Sequence, residues 1–205
     1  MSRITTLILI GFVVSACGNF SPRADPSRFF TLTAIAQPAA TAIKESSNPG
    51  GVSLGIGPIR MPGYLDRQEI VTRVSPNRID VSEYDHWAEP LETNFNRVLG
   101  QNLSVLLPVN RLVFFPWEST RSPTYQVEVE VLGFEANVAG DVRLSARWVV
   151  LETSKKTALN SGETLLVRQP AVKSTDAAVA ALSETLGDLS REIANAIGTI
   201  TGQRK

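Results

Sequence analysis

The sequence predicts an α/β (α+β) fold. It is a single compact domain in which a mixed or mainly antiparallel sheet packs against two long helices, with a leader and a tether ahead of it. Three observations carry this. Thr124–Phe134 and Val142–Leu151 alternate apolar and polar residues, as half-buried strands do. His86–Leu107 and Thr175–Ile200 repeat apolar residues every three or four positions, as helices facing a core do. No repeat or linker divides Val52–Ile200, so the 205 residues suit one domain with a tail.

The chain opens as an address. Arg3 is followed by the mostly apolar run Ile4–Val14, and then by Val14-Ser15-Ala16-Cys17. A basic start, a short apolar run and small residues before the cut make a signal peptide. The run is shorter than the roughly 20 apolar residues that a transmembrane helix needs. Val14–Cys17 resembles the lipobox of bacterial lipoproteins, in which the Cys is lipidated and the chain is cut before it. Residues 1–16 are thus read as signal peptide, Cys17 as the lipidation site and 17–27 as a tether with Pro22 and Pro26. The plainer alternative is an uncleaved N-terminal anchor with Cys17 among apolar neighbours. Gly18 and Asn19 follow Cys17, with no Asp, which resembles an outer-membrane lipoprotein facing the periplasm.

The elements of the domain, taken as 28–205, follow in order. Arg28–Thr33 reads as a first strand, and Gln37–Gly51 as a loose stretch rich in small residues. Val52–Gly57 alternates apolar and small residues, a strand whose glycines admit close approach. Pro58–Asp66 is irregular. Glu69–Val74 and Arg78–Val81 are short strands around the turn Ser75-Pro76-Asn77. The first helix is expected over His86–Leu107, starting near Glu83 with Pro90 in its first turn and Pro108 stopping it. Its stripe is Trp87, Leu91, Phe95, Val98, Asn102 and Leu106, widened by Leu99 and Leu103. Arg111–Phe115 is a strand. Thr124–Phe134 and Val142–Leu151 make a hairpin around Gly140, with Glu128 and Glu130 set to face Arg143 or Arg147. Glu163–Arg168 follows a loop containing Lys155, Lys156, Asn160 and Gly162. The second helix presents Val179, Leu182, Leu186, Leu189, Ile193, Ile197 and Ile200, capped by Ser174 or Thr175, with Gly187 weakening its middle. Thr201–Lys205 is expected to fray.

Composition removes most chemistry. Lys plus Arg and Asp plus Glu number 20 each, and 43% of residues are hydrophobic, which argues against disorder and against a polybasic nucleic-acid binder. One His, His86, and one Cys, Cys17, leave no His/Cys metal cluster and no internal disulfide. Gly55 and Gly57 lack the spacing of a phosphate loop. No Gly-x-Ser-x-Gly occurs. Asp80, Glu83, Asp85 and Glu89 form an acidic patch whose expected place at a helix start already gives it an electrostatic reason. No catalytic residue, metal or cofactor is assigned. What remains is binding. Met61, Pro62, Tyr64 and Leu65 either anchor a protein partner or fold onto the sheet, and Phe114, Phe115, Pro116 and Trp117 pose the same choice.

Gly55-Ile56-Gly57-Pro58-Ile59-Arg60-Met61-Pro62-Gly63-Tyr64-Leu65-Asp66-Arg67 resembles the signature of the ABC-type transport auxiliary lipoprotein family, which includes the lipoprotein of the paraquat-inducible intermembrane transport system. Ile70–Arg73, Asn77–Ile79, His86–Leu91, Arg97–Leu99, Leu103, Pro116-Trp117, Tyr125–Val127 and Ala146–Trp148 follow in the family's order. The resemblance covers about Arg28–Arg168. It implies a compact α/β domain and a noncatalytic part of a lipid-trafficking system. The implied partners are a mammalian-cell-entry (MCE) domain protein and inner-membrane transporter subunits, with the outer membrane reached through the lipid anchor on Cys17. It leaves room for a homo-oligomer, and nucleic acid is not among the partners. The family's motif residues map onto Arg60, Pro62, Tyr64, Leu65, Asp66 and Trp87, which become the candidate partner-binding residues. The alternative is a structural or assembly lipoprotein of the outer membrane without a transport partner. A third reading, lipid carriage in a pocket under the sheet, would need a larger apolar cavity than a packed chain of this size leaves.

Overall fold

A computed structural model describes residues 25–36, 52–118, 120 and 122–202. The expected signal peptide, Cys17, most of the tether and the stretch Gln37–Gly51 lie outside the described residues, as do 203–205. Eight strands and two helices follow one another among the described residues. They are β1 (Arg28–Phe30), β2 (Val52–Arg60), β3 (Glu69–Ser75), β4 (Arg78–Trp87), α1 (Leu91–Leu106), β5 (Val109–Phe114), β6 (Tyr125–Asn137), β7 (Val142–Glu152), β8 (Thr157–Arg168) and α2 (Thr175–Gly202).

β6 is the spine of one mixed sheet. On one side it pairs antiparallel with β7, which pairs antiparallel with β8. On the other side β2 runs parallel to its first half, with Leu54 opposite Tyr125 and Arg60 opposite Glu130. β3 runs parallel to its end, with Thr72 opposite Ala136. The segment 61–68 therefore leaves the edge of β6 and returns to it. β2 carries β5 in parallel, while β3 carries antiparallel β4 and, beyond it, parallel β1. α1 lies on β2 and β5, α2 lies on β7 and β8, and the helices touch each other.

The expected alternation explains which side the helices cover. Val127, Val129 and Val131 of β6 and Leu144, Ala146, Trp148 and Val150 of β7 are buried, and they meet Phe95, Val98, Leu99, Leu186, Leu189 and Ile193 from the helices. The β6–β7 register slips between Val131 and Gly133, a bulge that lets Phe134 return to the core. There its ring meets Phe95 edge-on at 5.4 Å. Glu130 lies opposite Arg147, with their charged atoms 3.8 Å apart. Glu128 instead accepts a hydrogen bond from Gln126 at 3.0 Å.

The first helix starts later than its spacing suggests. Glu83–Trp87 belong to β4, which runs to Trp87 rather than stopping at Val81. His86 pairs with Glu69 on one side and with Phe29 on the other, their rings 5.6 Å apart, and the Trp87 amide donates to Gln68 O at 2.6 Å. The residue before a proline is disfavoured in helical geometry, so Glu89-Pro90 separates strand from helix. Pro90 sits extended at the N-cap rather than within the first turn. The acidic residues are consequently not a helix-start cluster. Asp85 accepts from Arg28 Nε at 2.7 Å and from Thr175 Oγ1 at 2.5 Å, and Glu89 accepts from Arg97 at 2.6 Å.

The last sheet strand also extends further than its apolar run. β8 begins at Thr157, so Asn160 and Gly162 are strand residues, not loop. Gly162 stands opposite Trp148, and a Cβ there would come within 2.6 Å of the indole. Thr31–Ile35 is not strand. It crosses between the helices, held by side chains: the Leu32 amide donates to Asn94 Oδ1 (2.9 Å), Thr33 to Ser183 Oγ (3.1 Å) and Ile35 to Asn102 Oδ1 (2.9 Å). This is why two asparagines occupy the buried stripe of α1. Gly187 of α2 makes room for Ile35, whose Cγ2 would be 3.0 Å from an added Cβ.

Candidate functional site

The segment 61–68 closes on itself through backbone bonds. The Leu65 amide donates to Pro62 O at 2.9 Å and the Asp66 amide to Gly63 O at 3.2 Å. Leu65 points inward and is 2% exposed, a core residue. Tyr64 is half-buried. Its hydroxyl donates to Glu135 Oε2 at 2.8 Å. Arg73 Nε donates to Glu135 Oε1 at 2.6 Å, and the Arg73 guanidinium lies 5.3 Å from the centre of the Tyr64 ring. The Phe134 amide adds a bond to Glu135 Oε2 at 2.7 Å. Glu135 is 4% exposed, so its charge is sustained by these three donors.

The electrostatics follow from that geometry. Burial, followed by the hydrogen bond to Glu135, pushes the Tyr64 hydroxyl up to about 12. The hydrogen bond to Glu135 raises Arg73 above its ordinary value. This clamp ties the 61–68 turn to β3 and β6, and it gives the rim of the turn one shape.

Of the six residues expected at a partner surface, five share this turn or its border. Arg60 and Asp66 are exposed, and neither makes a side-chain bond among the described residues. Pro62 and Tyr64 are partly exposed. Leu65 is buried beneath them. Trp87 is 5% exposed, at the end of β4, and only its backbone bond to Gln68 joins it to the turn. Glu135 escaped the sequence reading. Its signal was a carboxylate directly after an apolar strand, masked by the bulge that breaks the alternation. Arg73 stands within the quoted motif Ile70–Arg73, where it reads as one more strand residue.

Beside the clamp, on the sheet face away from the helices, lies an open groove of about 670 Å³ whose lining includes Arg73, Leu132, Glu135, Val138, Arg143 and Glu163. The aromatic corner after β5 folds back onto the sheet and α1. A Cβ on Gly55 would lie 2.8 Å from the Trp117 ring, and one on Gly100 would lie 2.8 Å from the Phe114 ring. Phe115 and Trp117 meet edge-on at 5.5 Å. Among the described residues no three of His, Cys, Asp and Glu gather as metal ligands, and no helix is long and apolar enough to cross a membrane.

A buried carboxylate clamped by a tyrosine and an arginine fixes the 61–68 turn, with Arg60 and Asp66 exposed at its rim. The family model of the ABC-type transport auxiliary lipoprotein component matches residues 30–194. The chain belongs to this family. It is a noncatalytic auxiliary component of ABC-type transport, and a lipoprotein by family. Two solved structures share the fold. The crystal structure of protein XCC0632 from Xanthomonas campestris is 18% identical, with a TM-score of 0.69, over 87% of this chain and 98% of that one. A crystal structure of an uncharacterised protein is 21% identical, with a TM-score of 0.67, over 83% of this chain and 98% of that one. No curated protein matches the sequence.

Proposed function

We propose that this auxiliary lipoprotein is anchored at the outer membrane through Cys17, faces the periplasm, and docks the far end of an MCE-domain transport assembly there, so that phospholipid or another hydrophobic substrate passes. The observation that carries the reading is the family match over residues 30–194, joined to the lipobox Val14–Cys17 ahead of it. The inner-membrane transporter subunits would be reached through the MCE protein. The docking surface assigned is the rim of the 61–68 turn: Arg60, Pro62, Tyr64 and Asp66, with Leu65 and Trp87 as its buried support. The clamp on Glu135 supports this choice, because a rim fixed before binding loses less entropy on docking.

The test is co-purification. A tagged full-length chain is expressed in a Gram-negative host, the envelope is gently solubilised, and co-purifying proteins are identified by mass spectrometry. An MCE-domain protein should be recovered, less of it with Cys17→Ser, and less with Arg60→Glu and Asp66→Arg together while the chain stays folded and anchored. Recovery of other envelope complexes without any MCE protein would overturn the role and leave a structural lipoprotein.

A further inference from the structure

Strand directions show from which side the described chain enters β1. β3 and β6 run the same way, to the turn Ser75–Asn77 and the tip Val138–Asp141. The two tips touch, the Val138 amide donating to Arg73 O at 3.1 Å. β4 runs back from that end, and β1 is parallel to β4, with Arg28 opposite Asp85. The chain before β1 therefore comes from the side of those tips. β8 finishes at the same end, with Arg168 opposite Val142. The loop that follows carries Lys173 against Gly140, where an added Cβ would lie 3.1 Å from Lys173 Cγ.

This end carries apolar side chains at tips where polar residues are the rule. Val138 is 60% exposed at the β6–β7 tip, and Val172 is 64% exposed in the β8–α2 loop. Pro76, Ala139 and Ala171 are exposed beside them. Arg143 and Lys173 lie among these tips and make no ion pair among the described residues. Of the acids near these tips, Asp141 is bonded to Asn137, Glu135 stands opposite Arg143 but is held by Tyr64 and Arg73, Asp80 faces Arg78 at 3.8 Å, and Asp176 sits in the first turn of α2, where the helix dipole favours it. The eleven residues from Cys17 to Arg28 span at most about 40 Å.

We propose that this end is a membrane-contacting face. Val138 and Val172 meet the phospholipid surface that holds the anchor, Arg143 and Lys173 face its phosphates, and the β7–β8 turn with Lys155 points away. The inference rests on the reading of Cys17 as the lipid anchor. Apolar tips and a lipid chain are two weak attachments that together hold firmly and also fix orientation.

The test uses the lipidated full-length product. Val138→Cys, Val172→Cys and Lys155→Cys each carry a polarity-sensitive fluorophore, and the proteins are reconstituted into vesicles of phosphatidylethanolamine and phosphatidylglycerol. The parent chain has Cys17 alone, so its failure to take up dye and its flotation with the vesicles report the anchor independently. Blue-shifted emission at 138 and 172, with none at 155, is expected. Floating protein with no shift at 138 and 172, with an equal shift at 155, or with a shift that needs an added partner protein overturns the membrane face and leaves the anchor standing. A parent chain that takes up dye and does not float overturns the anchor, and the face with it.

Discussion

Removing one hydroxyl tests the clamp. Tyr64→Phe deletes one of three donors to Glu135 and keeps the ring against Arg73. A hydrogen bond to a charged group contributes about 1.5–3 kcal/mol. Tyr64 is only half-buried, so water replaces part of the loss, and about 1.5 kcal/mol is expected. For a domain of this size that corresponds to a Tm lower by about 3–6 °C. Arg73→Leu removes the partner charge. Breaking a buried pair from one side costs about 3–5 kcal/mol, but the Arg73 side chain is 29% exposed, and solvent screening brings the expectation down to about 2–3 kcal/mol. Because both variants act through Glu135, the double variant should depart from additivity by more than about 0.5 kcal/mol. The assay is urea unfolding of the mature protein in detergent, followed by circular dichroism. The pH dependence has a definite sign. The folded state raises Tyr64 from an ordinary 10.0 to about 12, so it favours the protonated hydroxyl. That stabilisation is complete below pH 10 and is lost as pH climbs toward 12. Tyr64→Phe should remove a step at about 12 from an ultraviolet titration of the tyrosines. A Tyr64→Phe protein within about 0.5 kcal/mol of the parent, or strictly additive variants, would refute the clamp.

Two further substitutions probe the framework around it. Asn102→Ala strands the partly buried Ile35 amide, while Ser190 keeps its bond to Leu186 O. About 2 kcal/mol should be lost, and hydrogen exchange at Ile35 should accelerate more than exchange at the Leu32 amide on Asn94. Gly55→Ala forces a methyl to within 2.6 Å of Pro123 and 2.8 Å of Trp117; it should cost about 1–3 kcal/mol. Gly198→Ala, in α2 with nothing within 4 Å, should gain about 0.5–1 kcal/mol instead. If the two glycine variants shift the melting temperature in the same direction, packing around Trp117 is not what requires Gly55.

The legible part of the fold was the part written locally. The β6–β7 hairpin is announced by alternation, and of the pairings it allows for Glu128 and Glu130 with Arg143 or Arg147, the structure forms Glu130 with Arg147. The helix stripes are equally local, and both helices lie where their apolar spacing put them, α1 apart from its first turn. What the sequence hid was nonlocal. Trp87 stands four residues before Leu91 and eight before Phe95, so it fits the helical spacing as well as it fits a strand. Only its partners, Gln68 and β1, decide the matter. Asn102 reads as a flaw in an apolar stripe until Ile35, 67 residues away, supplies the amide it accepts. The first half of β8 is too polar to read as a strand, because it is an edge strand with one face in water. Glu135 lay two residues past the Val131–Gly133 bulge that ended the alternation.

The same distinction bears on how the family signature should be read. Much of it serves packing. Gly55 admits Trp117 and Pro123, Leu65 sits in the core, and Trp87 is buried at the end of β4. Such residues would be required in any protein with this fold, whatever it docked. The charged residues of the turn left to face outward are Arg60, Asp66 and Arg67, without side-chain partners among the described residues, with Pro62 and the edge of Tyr64 between Arg60 and Asp66. A docking interface built on them lacks a large exposed aromatic anchor, so its specificity would come from charge and from the fixed shape of the turn. Two consequences separate this from an aromatic hot spot. Association with the transport assembly should slow as ionic strength rises, with dissociation less affected. Tyr64→Phe, which leaves the exposed ring edge in place but loosens the clamp, should weaken docking although it removes no exposed charge.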